Sequence, residues 1–294
     1  MNYSNKVAFS IGTGRCGTKF LYELLSHQPN LLSHHERLPL EDSFYRYAEW
    51  NQLKLEHSGY FHIKAKAVEN DLEKADFSFE SSAYLSLAVK PLFEKFNAKF
   101  ILLVRAPHAV VTSYHKKGWY QNDLVISDYS KAPGFQPKMS LKHHSFSRIV
   151  PIGNELKEWE QLTQIGKLSW YYQALNSAVL KQFEGIPNSH YKVIKLEDLD
   201  YQKYLEIADF LSLKDKISEA TFHKLTAKKV NTLSPSYKFH KWSETEKEEF
   251  FQQTRNINKQ LNYTYSSEYI KRLSTSPKKE ATASIFQRIR NKFN

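Results

Sequence analysis

Residues 7–21 (VAFSIGTGRCGTKFL) place an apolar run, a glycine-rich turn and an amphipathic stretch in immediate succession. This order predicts a β-strand, a loop and a helix. Glycine lets a loop backbone turn tightly and present its N–H groups to an anion, and the positive end of the following helix adds to the attraction. Arg15 and Lys19 supply two positive charges to the same turn. The stretch therefore predicts an anion-binding loop in a protein that alternates strands and helices.

The spacing from Gly12 to Gly17 matches the G-x-x-x-x-G of a nucleotide-binding P-loop, but the residues that follow do not. A P-loop continues with lysine and then a serine or threonine whose hydroxyl binds magnesium. In this chain Thr18 precedes Lys19, and Phe20 follows it. We therefore predict a loop that binds phosphate without a metal ion.

Four further apolar segments predict strands, at residues 31–40, 75–84, 98–107 and 191–196. Stretches with helical spacing separate them, which is typical of an α/β fold with a central parallel sheet. Residues 41–75 are predicted to be helical, with Phe44, Tyr45, Tyr47 and Trp50 on the buried side. The chain has 294 residues, of which 41% are hydrophobic, so it can bury a large core.

Polar side chains stand where these strands are predicted to end. His34, His35 and Glu36 lie in the first segment, and Glu80 and Ser82 close the next. The carboxyl ends of parallel strands gather at one edge of a sheet, where ligands bind. We expect these residues to lie near the glycine loop.

The segment at 98–107 (AKFILLVRAP) ends in Arg105. Walker-type enzymes often have an acidic metal partner at this position, so an arginine again favours anion binding without magnesium. Ser113 follows eight residues later, on a helix predicted at 108–117. If that helix folds back beside the strand end, Arg105 and Ser113 converge on one anionic group.

We predict a single domain at residues 1–275 and a basic amphipathic tail at 276–294. Within the domain, residues 118–153 are rich in proline, glycine and basic side chains, and we interpret them as a lid or substrate-facing insertion. The tail spaces Ile285, Ile289 and Phe293 four residues apart. It could contact an anionic membrane surface peripherally or pack on its own domain.

The formal charge of +11 favours anionic ligands such as nucleotides, polyanions or acidic membranes. No secretory signal pattern opens the chain, and no apolar run approaches the roughly 18 residues that a transmembrane helix needs. A single cysteine excludes an internal disulfide, which fits a reducing compartment. We expect a cytoplasmic protein that is not anchored by a membrane span.

Residues 12–21, together with the strand that ends in Arg105 and with Ser113, resemble the two cofactor motifs of sulfotransferases that use 3′-phosphoadenosine 5′-phosphosulfate (PAPS). The resemblance implies the P-loop NTPase-like sulfotransferase fold, a three-layer α/β/α arrangement. It also implies that Arg105 and Ser113 hold the 3′-phosphate and that the first motif wraps the 5′-phosphosulfate. The first-motif residues are Gly14, Arg15, Cys16, Gly17, Thr18, Lys19 and Phe20.

Sulfuryl transfer needs one base and several fixed cations, because the acceptor hydroxyl loses a proton while negative charge grows on the departing phosphate. Arg15 and Lys19 supply the cations. The resemblance puts the base in the region of residues 34–36, where we favour Glu36, with His35 as the nearest rival. It implies a hydroxyl acceptor, adenosine 3′,5′-bisphosphate as product, no metal requirement and no nucleic-acid partner. Basic and aromatic surroundings favour a carbohydrate or glycolipid acceptor.

Other functions stay open at this point. The glycine spacing also suits a P-loop kinase or NTPase, and the charge suits a non-catalytic protein that binds anionic polymers. Cys16 in an electropositive loop suggests a phosphatase-like nucleophile. Such a site would place an arginine six positions later, where this chain has Tyr22, so we favour a packing role for Cys16.

Overall fold

The computed structural model describes residues 3–121, 148–227, 237–263 and Leu273. Within these residues, five strands form one parallel sheet in the order β2-β3-β1-β4-β5. The α/β fold with a central parallel sheet is therefore confirmed. The strands are β1 (Val7–Ile11), β2 (Leu31–His35), β3 (Phe77–Ser81), β4 (Lys99–Val104) and β5 (Tyr191–Lys195).

Helices connect and cover the strands of this sheet. Those before the predicted insertion are α1 (Thr18–Leu25), α2 (Pro39–Trp50), α3 (Ser58–Leu72), α4 (Val89–Phe96) and α5 (Pro107–Lys116). Those after it are α6 (Glu155–Glu160), α7 (Gln164–Phe183), α8 (Tyr201–Leu211), α9 (Glu219–Ala227) and α10 (Glu244–Gln260). A 3₁₀ helix, Ala83–Leu87, follows β3.

Two details of the predicted elements are wrong. The strand predicted at 31–40 ends at His35, and Pro39 begins α2, because the fixed φ of proline suits the first turn of a helix. Phe44 was predicted to be buried and is 41% exposed. The inner face of α2 instead buries Asp42, Tyr45 and Arg46.

The sheet separates two hydrophobic cores, and β4 contributes to both. Phe100, Leu102 and Val104 belong to the first core, with side chains from α3, α4, α5, α7 and α10. Ile101 and Leu103 belong to the second core, with side chains from α1, α8 and α9. Alternate residues of a strand point to opposite faces, so a central strand must be apolar throughout. The result is the predicted three-layer α/β/α arrangement.

The strand order places the glycine loop at the centre of one sheet edge. β1 lies between β3 and β4, and the chain leaves it first toward β2 and later toward β5. Ligands of open α/β sheets bind where the strand order reverses in this way, at the carboxyl ends of the strands. The loop after β1 therefore occupies the position expected of a ligand crevice.

Some predictions fall outside the described residues. They include most of the insertion predicted at 118–153, since residues 122–147 are not described, and the whole tail at 276–294. Among the helices that are described, none has the length and apolar character needed to cross a membrane.

Candidate anion-binding and active site

The loop between β1 and α1 needs glycine for steric reasons. Gly14 and Gly17 have φ values of 79° and 106°, in the left-handed region that side chains disfavour. A Cβ atom on Gly14 would lie 2.3 Å from Tyr114 Oη, and one on Gly17 would lie 2.7 Å from Leu196 Cδ1. The loop is therefore packed tightly against α5 and against the end of β5.

Two buried tyrosines hold the loop in place. The hydroxyls of Tyr114 on α5 and Tyr171 on α7 donate to the carbonyl oxygen of Thr13, at 2.6 Å and 3.1 Å. Burial raises the pKa of both side chains, so both hydroxyls stay protonated and can donate. Neither tyrosine is among the predicted site residues. The position of Tyr114 directly after Ser113 is the sequence signal that points to it.

The structure brings Arg15, Arg105 and Ser113 together. Arg15 Nε donates to Ser113 Oγ over 2.8 Å, and Arg105 Nη1 donates to the carbonyl oxygen of Arg15 over 3.3 Å. The hydroxyl of Tyr172 donates in turn to the carbonyl oxygen of Arg105 over 3.1 Å. Two guanidinium groups and a hydroxyl thus converge where the carboxyl ends of β1 and β4 meet the start of α5. Such a group can bind phosphate through charge-assisted hydrogen bonds.

The start of α1 adds backbone N–H groups to this region. Gly17 is the N-cap residue and has no side chain to accept from them, so an anion can take that role. Thr18 is buried, and its carbonyl oxygen accepts from Ser81 Oγ over 2.9 Å, which ties α1 to the end of β3.

Lys19 and Phe20 are not brought to the arginine pair by a described contact. The Lys19 side chain is 50% exposed, and its Nζ lies 3.7 Å from Glu23 Oε1 on the same helix. Exposed pairs of this kind are weak, so Lys19 can exchange Glu23 for a ligand at low cost. Phe20 packs against the second core.

Cys16 is fully buried in the loop. Burial raises the pKa of its thiol despite opposing hydrogen bonds from loop backbone N–H groups. A Cβ atom on Gly12 would lie 2.7 Å from Cys16 Sγ, so the sulfur fills space beneath the loop. A buried, protonated thiol is a poor nucleophile.

The last residue of β2, His35, and the residue after it, Glu36, are the two candidate bases. The two histidines of β2 point to opposite faces of the sheet, since His34 Nε2 lies 3.1 Å from Asp71 Oδ1 on α3, whereas the His35 ring lies 5.9 Å from the ring of Tyr22 on α1. Glu36 has a φ of 50°, and its N–H donates to the carbonyl oxygen of Ser81 over 3.1 Å.

Glu36 lies at a distance from the loop that a substrate can bridge. β3 separates β2 from β1, and neighbouring strands are about 4.8 Å apart, so the two strand ends are about 10 Å apart. Burial raises the pKa of Tyr84 to about 12, and the negative charge of Glu36 adds to this rise. The Glu36 carboxylate therefore lies within electrostatic range of Tyr84, in the segment that follows β3.

Arg46 of α2 lies beside the segment that follows β3, and it is not among the predicted site residues. It is fully buried, its Nη1 donates to the carbonyl oxygen of Ala83 over 3.1 Å, and its guanidinium lies 4.9 Å from the ring centre of Tyr84. Its charge acts to lower the pKa of Tyr114 and Tyr171, against the larger effect of burial. The only sequence signal was an arginine among the aromatic residues of a predicted helix.

Glu197 fixes the ends of β4 and β5. Its Oε1 accepts from the N–H of Ala106 over 2.8 Å, and its Oε2 accepts from the hydroxyl of Tyr263 over 3.0 Å. The first of these bonds holds Ala106, the N-cap residue of α5, and α5 carries Ser113. Within the residues that the structure describes, no three His, Cys, Asp or Glu side chains gather in a way that could hold a metal ion.

Comparison with solved structures finds chains that are similar to this one, among them two sulfotransferase domains. No protein-family model matches the chain, and no curated protein matches it. The chain is similar to a sulfotransferase domain from the curacin biosynthetic pathway, with 13% identity over 90% of this chain and 99% of that one and a TM-score of 0.48. It is also similar to a sulfotransferase domain from the Synechococcus PCC 7002 olefin synthase, with 14% identity over 87% and 96% and a TM-score of 0.43.

Proposed function

We propose that this protein transfers a sulfuryl group from PAPS to a hydroxyl group of an acceptor. The observation that carries the proposal is the convergence of Arg15, Arg105 and Ser113 beside the glycine loop. PAPS bears phosphate at both the 3′ and the 5′ position of its ribose, so it needs two anion sites. The loop with the N-terminus of α1 suits one phosphate, and Arg105 with Ser113 suits the other.

The site offers cationic side chains, a hydroxyl group and backbone N–H groups, which are the groups that bind the phosphate and phosphosulfate of PAPS. When bound, PAPS would supply an activated sulfuryl group on a phosphate leaving group. Arg15 and the N–H groups of the loop would hold the 5′-phosphosulfate, together with Lys19 after it leaves Glu23. Arg105 and Ser113 would hold the 3′-phosphate. The tyrosine hydroxyls on Thr13 keep the loop in its binding conformation.

Glu36 is the proposed base, with His35 as the alternative. Glu36 would take the proton of the acceptor hydroxyl as that oxygen bonds to the sulfuryl group supplied by the donor. Arg15 and Lys19 would stabilise the negative charge that remains on the departing phosphate. The products are a sulfate ester and adenosine 3′,5′-bisphosphate.

A carbohydrate or glycolipid is the proposed acceptor. The basic and aromatic composition of the chain supports an acceptor that carries, or lies among, negative charges. A tail at 276–294 that contacts anionic lipid would hold the enzyme near a glycolipid. We propose a cytoplasmic enzyme with peripheral membrane contact at most.

A magnesium-dependent kinase or NTPase is the second candidate, because the spacing of Gly12 and Gly17 also suits it. Titration calorimetry with adenosine 3′,5′-bisphosphate in EDTA, and with ATP in the presence and absence of magnesium, distinguishes the two. We expect tight binding of the bisphosphate in EDTA. ATP binding that requires magnesium, with no binding of the bisphosphate, would refute the proposal.

Transfer itself is tested with radiolabelled PAPS and a panel of hydroxylated acceptors that includes lactose, chitobiose and octyl glucoside. We expect label on at least one acceptor. Glu36→Gln should keep the affinity for the bisphosphate and reduce turnover by about 100-fold or more, as loss of a general base does. Near-normal turnover would shift the role to His35. Binding without transfer to any acceptor would favour a non-catalytic anion-binding protein.

A further inference from the structure

Six ionisable side chains form a charge cluster beside the turn that carries Glu36; all are buried or nearly so except His34, whose side chain is 34% exposed. They are His34, Arg37, Asp42, Lys64, Asp71 and Glu80. Lys64 of α3 lies at the centre and is fully buried. Its Nζ lies 2.8 Å from Asp42 Oδ1 on α2 and 3.0 Å from Glu80 Oε2 on β3. A single ammonium group therefore joins three elements.

The cluster holds the turn on both sides of Glu36. Glu80 Oε1 accepts from Lys64 and also from the backbone N–H of Arg37, each over 3.2 Å. The Arg37 side chain and His34 both bind Asp71, at 2.5 Å and 3.1 Å. The residues before and after the pair His35 and Glu36 are thus fixed to α3 and β3.

Glu36 itself needs this support. Its φ of 50° is a left-handed conformation, which the side chain of a non-glycine residue disfavours. Such a conformation persists where the surrounding structure determines it. The contacts of His34 and Arg37, on either side, therefore support the backbone conformation of Glu36.

We propose that Lys64 is a positioning residue for the sulfuryl-transfer reaction: it orients the Glu36 carboxylate by fixing Glu80, and through Glu80 the turn at residues 34–37. This inference rests on the proposed function, in which Glu36 is the base. Fold stability alone does not account for the cluster. Replacing a buried ion pair with apolar side chains of similar volume is often neutral or stabilising.

The test compares Lys64→Met/Asp42→Asn with the wild type. Asp42→Asn is included because Asp42 has its ion pair with Lys64 alone, and Lys64→Met by itself would leave that carboxylate buried without a cation. Glu80 still has the Arg37 side chain, whose Nε lies 3.9 Å from its Oε2. In the double variant Glu80 can still accept the hydrogen bond from the backbone N–H of Arg37. The control is Lys66→Met, which removes an exposed lysine from the same helix.

The first readout is amide hydrogen exchange by NMR, which needs no acceptor. We expect the protection of the Glu36 N–H to fall by about tenfold or more in the double variant, because its bond to Ser81 O loosens with the turn. The N–H of Ser82, which donates to the carbonyl oxygen of Ser10 over 2.8 Å, should keep its protection. Unchanged protection at Glu36, or equal loss at both amides, would overturn the inference.

The second readout is turnover in a mutant cycle with Glu36→Gln, using radiolabelled PAPS and whichever sugar of the panel accepts sulfate. The double variant should lose about tenfold or more in kcat with little change in the KM for PAPS. In the Glu36→Gln background the same change should cost less than about threefold, because residues that act through one another are not additive. Independent, multiplicative losses would overturn the inference. No transfer by the wild type would instead refute the proposed function, and the exchange experiment would still test the positioning.

Discussion

Arg105 follows β4, and its side chain donates to the carbonyl oxygen of Arg15 in the glycine loop. If it also binds the 3′-phosphate, Arg105→Ala should lower the affinity for adenosine 3′,5′-bisphosphate by about 10–100-fold. This factor corresponds to the loss of a charge-assisted hydrogen bond of about 1.5–3 kcal/mol. The affinity for adenosine 5′-monophosphate should fall much less. Calorimetry measures both affinities. Arg255→Ala, which removes an exposed arginine from α10, controls for the loss of one charge. Equal losses for the two nucleotides would contradict the assignment.

Asp42 gives a prediction about pH and stability. It is fully buried, Lys64 and Tyr60 bind its Oδ1, and Glu80 lies across Lys64. Burial raises the pKa of Asp42 to about 7, against the attraction of Lys64 and with the repulsion of Glu80. The unfolded-state pKa is about 3.9, so the protonated carboxyl is favoured in the folded state. Its stabilising contribution is present below about pH 4 and is lost as the pH rises toward 7.

Asp42→Asn keeps the site neutral at every pH and isolates this contribution. The free energy of unfolding of the wild type minus that of the variant should fall between about pH 4 and pH 7 and level off above. Urea unfolding at a series of pH values measures it. The other charged groups of the cluster, His34, Arg37, Lys64, Asp71 and Glu80, are common to both proteins. A difference that stays constant or rises over this range would mean that Lys64 holds Asp42 ionised.

The glycine loop is the element on which the site depends. It needs glycine both for its left-handed backbone conformation and for lack of space around a Cβ atom, and the two needs can be tested separately. Gly14 has a φ of 79° and Gly153 a φ of 70°, but a Cβ atom on Gly14 would lie 2.3 Å from Tyr114 Oη, while one on Gly153 would meet nothing within 4 Å. Gly153→Ala should therefore lose about 1–2 kcal/mol of stability from strain alone. Gly14→Ala should lose more and also weaken bisphosphate binding.

Thermal unfolding and calorimetry of the two variants measure these effects. Gly14→Ala/Tyr114→Phe removes the hydroxyl that the new methyl group meets, so it should recover part of the stability. Binding should stay weak in this variant, because the hydrogen bond from Tyr114 to Thr13 is lost as well. Equal losses in Gly14→Ala and Gly153→Ala would mean that the loop moves freely away from α5.

The elements were predictable from sequence where one physical pattern dominates. β1 and β4 are continuous apolar runs because both of their faces are buried, and the glycines mark the loop that joins β1 to α1. α2 was read incorrectly because its inner face buries Asp42 and Arg46, whereas periodicity assigns charged residues to solvent. Contacts such as Tyr171 with Thr13 join residues 158 positions apart, and no local spacing reports them.

The whole molecule is held together by strands that serve two cores. Leu102 and Leu103 are adjacent and fully buried, but Leu102 belongs to the first core and Leu103 to the second. All five tryptophans, Trp50, Trp119, Trp159, Trp170 and Trp242, lie in or against the first core. Tryptophan fluorescence therefore reports on one face of the sheet, and far-UV circular dichroism on both.

This asymmetry allows a test of whether the two faces unfold together. Leu103→Ala should cost about 2–5 kcal/mol, as other buried leucine truncations do. Because β4 carries both cores, we expect fluorescence and circular dichroism to give the same lowered urea midpoint, although the changed residue lies on the face without tryptophan. Leu102→Ala is the matched variant on the other face and should behave alike. A Leu103→Ala protein whose fluorescence transition stays at the wild-type midpoint while its circular dichroism transition moves would mean that the second core melts independently. Ligand binding at the sheet edge could then stabilise one layer without the other.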